Sequence, residues 1–223
     1  MVNHRVRVKI EGLRSGDDAR RVAMLGADAV GLVFAPSPRQ VSLQQAREVV
    51  AAVGPWVATV GLFVNAPVDE INEIVDATGI DYVQLHGDEP PHCAGQIRAK
   101  VIKAFRVRDE QWLSEVSRWL SGLDAQGRRR FSAVLLDAFD SSARGGTGQK
   151  FNWDLVADAR NRGDLRDLGP IILAGGLDPS CVADAIRTIA PWGVDVASGV
   201  ESAPGVKDFQ KVEAFIRVAG NGI

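Results

Sequence analysis

Eight short segments rich in β-branched and other apolar residues recur along the chain, separated by longer segments whose apolar residues fall at helical spacing. The strand candidates are Arg5–Ile10, Ala29–Phe34, Val57–Val64, Tyr82–Leu85, Val101–Phe105, Ala133–Leu136, Ile171–Ala174 and Val194–Ala197. Several are apolar almost throughout, which is how a strand reads when both of its faces are covered. Between them, Ser42–Val53, Val68–Thr78, Glu110–Leu120, Pro179–Ile189 and Lys207–Val218 carry helical periodicity, with Ser15–Leu25, Asn152–Arg160 and Pro91–Ala99 as shorter candidates. Ser15, Ser42, Asp109, Asn152 and Asp178 sit where N-caps belong. Strand and helix alternating eight times predicts an α/β fold with a parallel sheet, a (β/α)8 TIM barrel formed by residues 1–223 as one domain. An open doubly wound sheet is the competing arrangement, but no Gly-x-Gly-x-x-Gly fingerprint follows the first strand.

Charge and cysteine content narrow the function. With 26 Lys and Arg against 28 Asp and Glu, the chain has no basic footprint for nucleic acid or an anionic membrane. The one basic run, Arg128-Arg129-Arg130, reads as a solvated turn. Cys93 and Cys181 lie far apart without a CxxC spacing, so neither a disulfide framework nor a zinc site is expected, and the cytoplasm is the expected compartment. The first residues carry no apolar leader-like segment, and no apolar run approaches the roughly 18 residues of a membrane span.

In a barrel of this kind chemistry gathers where strands end. Those positions hold Glu11, Arg39, Gln84 to Asp88, Arg106, Asp137, Gly175-Gly176 and Ser198-Gly199. Glycines just after the seventh and eighth strands let backbone N–H groups approach a phosphate, and a following helix N-terminus would add favourable partial charge. Gly175, Gly176, Ser198 and Gly199 are therefore the candidate phosphate-binding residues. Glu11 and Asp137 are carboxylates on separate strand ends, suited to acid–base chemistry when their environments differ. Arg39 suits a substrate carboxylate. Gln84, His86 and Asp195 are candidate substrate contacts, and His86 with His92 and Cys93 has no recognised metal-ligand spacing. Gly145-Gly146-Thr147-Gly148 lacks the Lys-Ser/Thr ending of a nucleotide-binding loop and reads as a loop closing over the site. The five tryptophans are dispersed, which fits packing rather than a ligand cage.

Taken in order, these motifs resemble the phosphoribosylanthranilate isomerase family of tryptophan biosynthesis. The matching segments are Val8-Lys9-Ile10-x-Gly12-Leu13, Gly26-Ala27-Asp28, Ser37-Pro38-Arg39, Val83-Gln84-Leu85-His86-Gly87 and Leu135-Leu136-Asp137. They continue through Gly145-Gly146-Thr147-Gly148, Leu173-Ala174-Gly175-Gly176-Leu177, Ser198-Gly199-Val200-Glu201 and Pro204-Gly205-Val206-Lys207-Asp208. The resemblance implies an enzyme without cofactor or metal that rearranges a phosphorylated aminoaldose to an aminoketose, as a monomer or homodimer. It implies Asp137 as general acid, Arg39 as the partner of the anthranilate carboxylate, and the two glycine loops as the phosphate site. The family's first motif reads Lys-Ile-Cys-Gly-Leu, with the cysteine as general base; here Glu11 stands in that place. Cys and Glu codons differ at all three bases, which points to selection or deliberate replacement rather than drift. The related isomerase of histidine biosynthesis carries an aspartate at the same strand end, so a carboxylate base suits this scaffold. A smaller departure is Ser180-Cys181-Val182, where the family has Asn before Val. Two other readings stand beside the family reaction: a specialised paralogue acting on a different sugar phosphate, and a non-catalytic ligand-binding relative.

Overall fold

The computed structural model describes residues 5–137 and 153–220. The chain begins with β1 (Arg7–Ile10), α1 (Gly16–Met24), β2 (Ala29–Val33), α2 (Leu43–Ala52), β3 (Ala58–Phe63), α3 (Val68–Thr78) and β4 (Tyr82–Leu85). There follow α4 (His92–Gln96), β5 (Lys100–Arg106), α5 (Trp112–Ser121), α6 (Ala125–Arg130), β6 (Phe131–Asp137) and α7 (Trp153–Arg162). The last part is β7 (Ile171–Ala174), α8 (Val182–Ile189), β8 (Gly193–Val196), a hairpin of β9 (Glu201–Ala203) and β10 (Val206–Lys207), and α9 (Phe209–Gly220). Strands β1 to β8 pair in sequence order, all parallel, and β8 pairs with β1 to close the barrel.

The period of two along each strand sorts side chains between two cores. Val8, Ile10, Val30, Leu32, Val83 and Leu85 face outward into the layer filled by Val22, Val49, Ile71, Val116 and Phe215 of the helices. The opposite parity lines the lumen: Val60, Ile102, Ala104, Ala133, Leu135, Ile172 and Ala174 form their own buried cluster. Further along that parity stand polar residues: Lys9 and Glu11, Gln84 and His86, Asp137, and Asp195. A barrel filled by apolar layers below and polar ones at the strand ends has only one end suited to chemistry.

Two aspartates pin the other end. Asp28 Oδ2 accepts the Val8 backbone N–H at 2.9 Å and Arg5 at 3.1 Å, tying β2 to β1. Asp81 Oδ2 accepts both the N–H and the hydroxyl of Thr59 at 2.8 Å, tying β4 to β3. Each follows a Gly-x pair, Gly26-Ala27 and Gly79-Ile80, at the turn into its strand.

Several boundaries differ from the sequence expectation. β8 ends at Val196 because Ala197 leaves the extended region (φ −115°, ψ −85°). Ser15 and Ser42 cap their helices through the side chain, Ser42 as a full capping box. Asp109 does not cap: α5 starts at Trp112, and Asp109 instead accepts the Gln111 N–H at 2.8 Å in the turn before it. Asp178 likewise accepts from Ser180 and Cys181 ahead of α8. The Arg128–Arg130 run is not a turn but the last turn of α6, a helix started by the Asp124 side chain accepting from Gly127 N at 2.6 Å. Asn152 and the glycine-rich segment 145–148 lie outside the described residues. Cys93 and Cys181 are both free thiols. Among the described residues no helix is long and apolar enough to cross a membrane.

Replacing Asp81 with alanine would strand the N–H of Thr59, which is 2 % exposed. A buried donor left without a partner costs about 1–3 kcal/mol. Urea unfolding of Asp81→Ala should show a loss in that range with an unchanged denaturant slope; a stability equal to the parent's would show that the carboxylate does not staple β3 to β4.

Candidate active site

The lumen at the strand ends is organised around one lysine. Lys9, 5 % exposed, points inward from β1 between two apolar neighbours, Val8 and Ile10. An ammonium has three protons to donate and nothing to accept with. All three are used: one to Glu11 Oε2, one to Gln84 Oε1 at 2.8 Å from β4, and one to Asp195 Oδ2 at 2.9 Å from β8. Burial alone would drive the Lys9 proton off, but Asp195 and Glu11 together hold its pKa above the ordinary lysine value.

Glu11 follows β1 and lies just as deep, at 5 % exposure. Its Oε1 accepts the Gly12 N–H at 3.0 Å, so both oxygens are fixed. The carboxylate rests against the backbone of Gly31 in β2; a Cβ there would collide with it. Gly31 therefore makes the room that a side chain longer than cysteine requires, and the sequence reading did not single it out.

Asp195 shares the lysine but is less well served. Burial pushes its carboxyl up to about 6, opposed by Lys9 and reinforced by the negative charge of Glu11. Its Oδ1 is buried without a hydrogen-bond partner among the described residues. Both members of this ion pair thus shift upward. Lys9 rises because two carboxylates face it, and Asp195 rises because half of one cation does not offset burial beside a second carboxylate.

From the lysine the network runs on across the lumen. Gln84 Nε2 meets His86 Nδ1 at 3.0 Å, and His86 Nε2 meets Asp137 Oδ2 at 2.9 Å at the end of β6. Gln84 lies in β4 and His86 just past its end, two residues on, so the two side chains point to the same side. Gln84, a candidate substrate contact, is wholly buried, with its amide held by Lys9 on one side and His86 on the other. Asp195, expected in the same role, is turned into the Lys9 shell. His86 remains within reach of a ligand and borders a cavity of about 780 Å³ lined also by Asn65, Lys103, Phe105, Arg106 and Trp119. Glu11, Arg39 and Asp137 are outside that lining, so this cavity adjoins the polar lumen at His86 rather than coinciding with it.

Two further lysine–carboxylate clusters hold the loops around this centre, and the sequence reading found neither. Lys103 of β5, 3 % exposed, donates to Glu89 Oε2 at 3.1 Å and to the Gly87 carbonyl at 2.7 Å, while Glu89 Oε1 accepts from Asn65 N at 2.8 Å. This fixes the loop that follows His86. Glu201 and Lys207, paired at 2.9 Å across the β9–β10 hairpin, hold Arg39: Glu201 accepts Arg39 Nε at 2.8 Å and Nη2 at 2.6 Å. The Nε–Nη2 edge of Arg39 is thus closed on Glu201. The contact with Glu201, more than burial opposes it, raises the Arg39 pKa further.

The glycine loops after β7 and β8 meet directly. A Cβ on Gly199 would collide with the carbonyl oxygen of Leu177, so only glycine allows that approach. Gly175 and Gly176 adopt φ +85° and +64°. No α-helix follows either loop at once: α8 begins at Val182, and Ser198–Val200 is a 3-10 turn leading into the hairpin. The expected helix N-terminus is therefore not adjacent to either loop, and what the loops offer is backbone N–H groups. Among the described residues no group of three His, Cys, Asp or Glu is placed to hold a metal ion.

This arrangement has counterparts in known proteins. Residues 8–218 match the family described as N-(5'phosphoribosyl)anthranilate (PRA) isomerase. The chain belongs to that family. An N-(5'-phosphoribosyl)anthranilate isomerase of Geobacter metallireducens is 47 % identical over 215 residues, covering 96 % of this chain and 98 % of its own. The phosphoribosyl anthranilate isomerase of Thermotoga maritima superposes with a TM-score of 0.83 at 36 % identity, covering 97 % of this chain and 99 % of its own. A phosphoribosyl anthranilate isomerase in complex with reduced 1-(o-carboxyphenylamino)-1-deoxyribulose 5-phosphate gives 0.80 at 36 % identity, with the same coverage.

The shared lysine sets the direction of a pH effect. Asp195 binds its proton more tightly folded, near 6, than unfolded, near 3.9. Between those values the native state holds more protons than the unfolded one, so this group's contribution to stability is full below about 4 and is lost as pH rises through about 6. Chemical denaturation of Asp195→Asn across that interval should show a smaller fall of stability with pH than the parent. Parallel curves for the two proteins would show that Asp195 is not the group responsible.

Proposed function

We infer that the chain converts N-(5'-phosphoribosyl)anthranilate to 1-(o-carboxyphenylamino)-1-deoxyribulose 5-phosphate, with Glu11 as general base and Asp137 as general acid. The observation that carries this reading is one lumen holding two carboxylates in different settings, Glu11 against the Lys9 ammonium and Asp137 against the His86 imidazole. Asp137 gives a proton to the ribose ring oxygen as the C1–O bond breaks, and the lone pair of the anthranilate nitrogen closes to a C1=N iminium. Glu11 then takes the C2 proton, and its electron pair neutralises the iminium to an enolamine. Loss of the O2 proton and gain of one at C1 completes the aminoketose. Protons balance and no electron leaves the substrate, so the sequence of steps calls for no redox partner.

The charge around Glu11 suits this step. Before it, one ammonium faces two carboxylates; once Glu11 is protonated, Lys9 is still matched by Asp195. No unpaired buried cation results, which would otherwise be costly. Arg39 Nη1 supports a reading in which the anthranilate carboxylate docks beside the Glu201 pair, and the Gly175-Gly176 and Ser198-Gly199 loops one in which the phosphate is held by backbone N–H groups.

Turnover of phosphoribosylanthranilate tests the base. Glu11→Gln keeps the shape and removes the proton acceptor, and should lower kcat on the order of 10²- to 10⁴-fold. Glu11→Cys places the family's base at this position and should retain more turnover than Glu11→Gln, because a thiol can still give a proton acceptor and the amide cannot. Equal turnover by the parent and Glu11→Gln would end the assignment.

Arg39 faces a carboxylate whose charge does not change during the reaction. Arg39→Ala should therefore raise KM more than it lowers kcat. A large fall in kcat with KM unchanged would remove Arg39 from a purely binding role.

A further inference from the structure

The hydrogen-bond chain across the lumen has a direction that its chemistry dictates. Lys9 Nζ only donates, so the Gln84 atom 2.8 Å from it is the carbonyl oxygen. That orientation leaves the amide nitrogen facing His86 Nδ1 at 3.0 Å, and an amide N–H also only donates. His86 Nδ1 must then present its lone pair. The ring proton sits on Nε2, 2.9 Å from Asp137 Oδ2, and is donated to it. Four residues from β1, β4 and β6, with the ring just beyond the end of β4, thus form one ordered sequence, Lys9 to Gln84 to His86 to Asp137.

We propose that Gln84, oriented by Lys9, locks His86 in its Nε2–H tautomer, and that this fixed donor positions the Asp137 carboxyl for its role as general acid. The proposal rests on the assignment of Asp137 above. His86 and Gln84 are positioning residues here. Gln84 is 0 % exposed and reaches Asp137 only through the ring. A histidine carrying a proton on Nδ1 would lose the Gln84 bond, and in its neutral form would turn a lone pair toward the carboxylate. The lock also explains why a neutral amide stands beside the histidine in a lumen otherwise crowded with charge: an acidic side chain would draw a proton to Nδ1, and an apolar one would leave Lys9 short of an acceptor.

The chain has three histidines, so long-range proton–nitrogen correlation on protein labelled with ¹⁵N-histidine reads the ring directly, with His86→Asn assigning its peaks. The parent should show His86 as the Nε2–H tautomer at neutral pH. Gln84→Leu removes the donor and should give a mixture of tautomers, with kcat lowered about 10- to 100-fold and KM moved far less, as expected for a displaced reacting group. Gln84→Glu keeps an acceptor for Lys9 but turns a second one toward Nδ1, and should put a proton there; it serves if the leucine variant does not fold. An Nδ1–H tautomer in the parent, or both Gln84 variants retaining the parent tautomer, overturns the lock. A rise in KM with kcat intact overturns the positioning role. Asp137→Asn run alongside separates the two claims: full turnover there removes the acid assignment, whereas the tautomer readout stands or falls on Gln84.

Discussion

A buried ammonium with three protons and three acceptors is the constraint around which the lumen is built. Lys9 is taken out of water at a cost that only well-placed partners offset. Each of its three bonds reaches a residue with further consequences: Glu11 for the proposed proton removal, Asp195 for charge balance, and Gln84 for the line to His86 and Asp137. Removing any one of them would leave a buried donor or charge unmatched. The lysine also joins β1 to β8 and, across the lumen, to β4, so the same bonds that set up the chemistry fix the upper lumen of the barrel.

The device recurs twice around the rim. Lys103 with Glu89 holds the loop after β4, and Lys207 with Glu201 holds the Arg39 guanidinium against the β9–β10 hairpin. In each case a lysine and a glutamate nearly hidden from solvent secure a neighbour rather than facing the ligand themselves. Burial pulls Lys103 and Lys207 below the ordinary lysine range, with the paired glutamate opposing it in both. Only Lys9, with two carboxylates, rises. The lysine on the floor of the lumen therefore holds its proton more firmly than the two on the rim.

Much of this was legible in the chain. Strand number and order, and strand ends to within a few residues, followed from β-branched runs and helical spacing, because those periods reflect the backbone alone. Glu11, His86 and Asp137 were singled out because they stand where strands stop, and Arg39 because it lies in the loop after β2. The buried lysines were not. A charged residue inside a strand is ordinarily read as solvent-facing, since unpaired charge is so seldom buried. The signal was present nonetheless: Lys9, Gln84 and Asp195 are polar residues inside strands, each between two apolar neighbours. Gly31 was hidden differently, since a glycine within Ala-Val-Gly-Leu-Val shows no turn to explain it; its reason is the Glu11 carboxylate lying across it. The α6 helix was missed because a run of arginines outweighed a capping aspartate four residues ahead of it.

The sequence by itself determined the number of strands, their order, their parity and hence which side chains point to the lumen, for all of these follow from local geometry repeated along one chain. It also determined the family, through motifs spaced along nearly its whole length. Which lumen residue meets which was decided only by closure. Lys9 and Asp195 are 186 positions apart and become hydrogen-bond partners because β8 pairs with β1. Arg39 and Glu201, 162 apart, meet because the hairpin after β8 comes to lie beside the loop after β2. Whether Glu11 stands as an isolated carboxylate or one member of a shared ion cluster, and whether Arg39 offers a whole fork or one nitrogen, depends on those distant pairings. A short-range pattern carries no information about them, because electrostatic environment is set by neighbours in space, and in a closed barrel the nearest neighbours of the first strand lie partly at the far end of the chain.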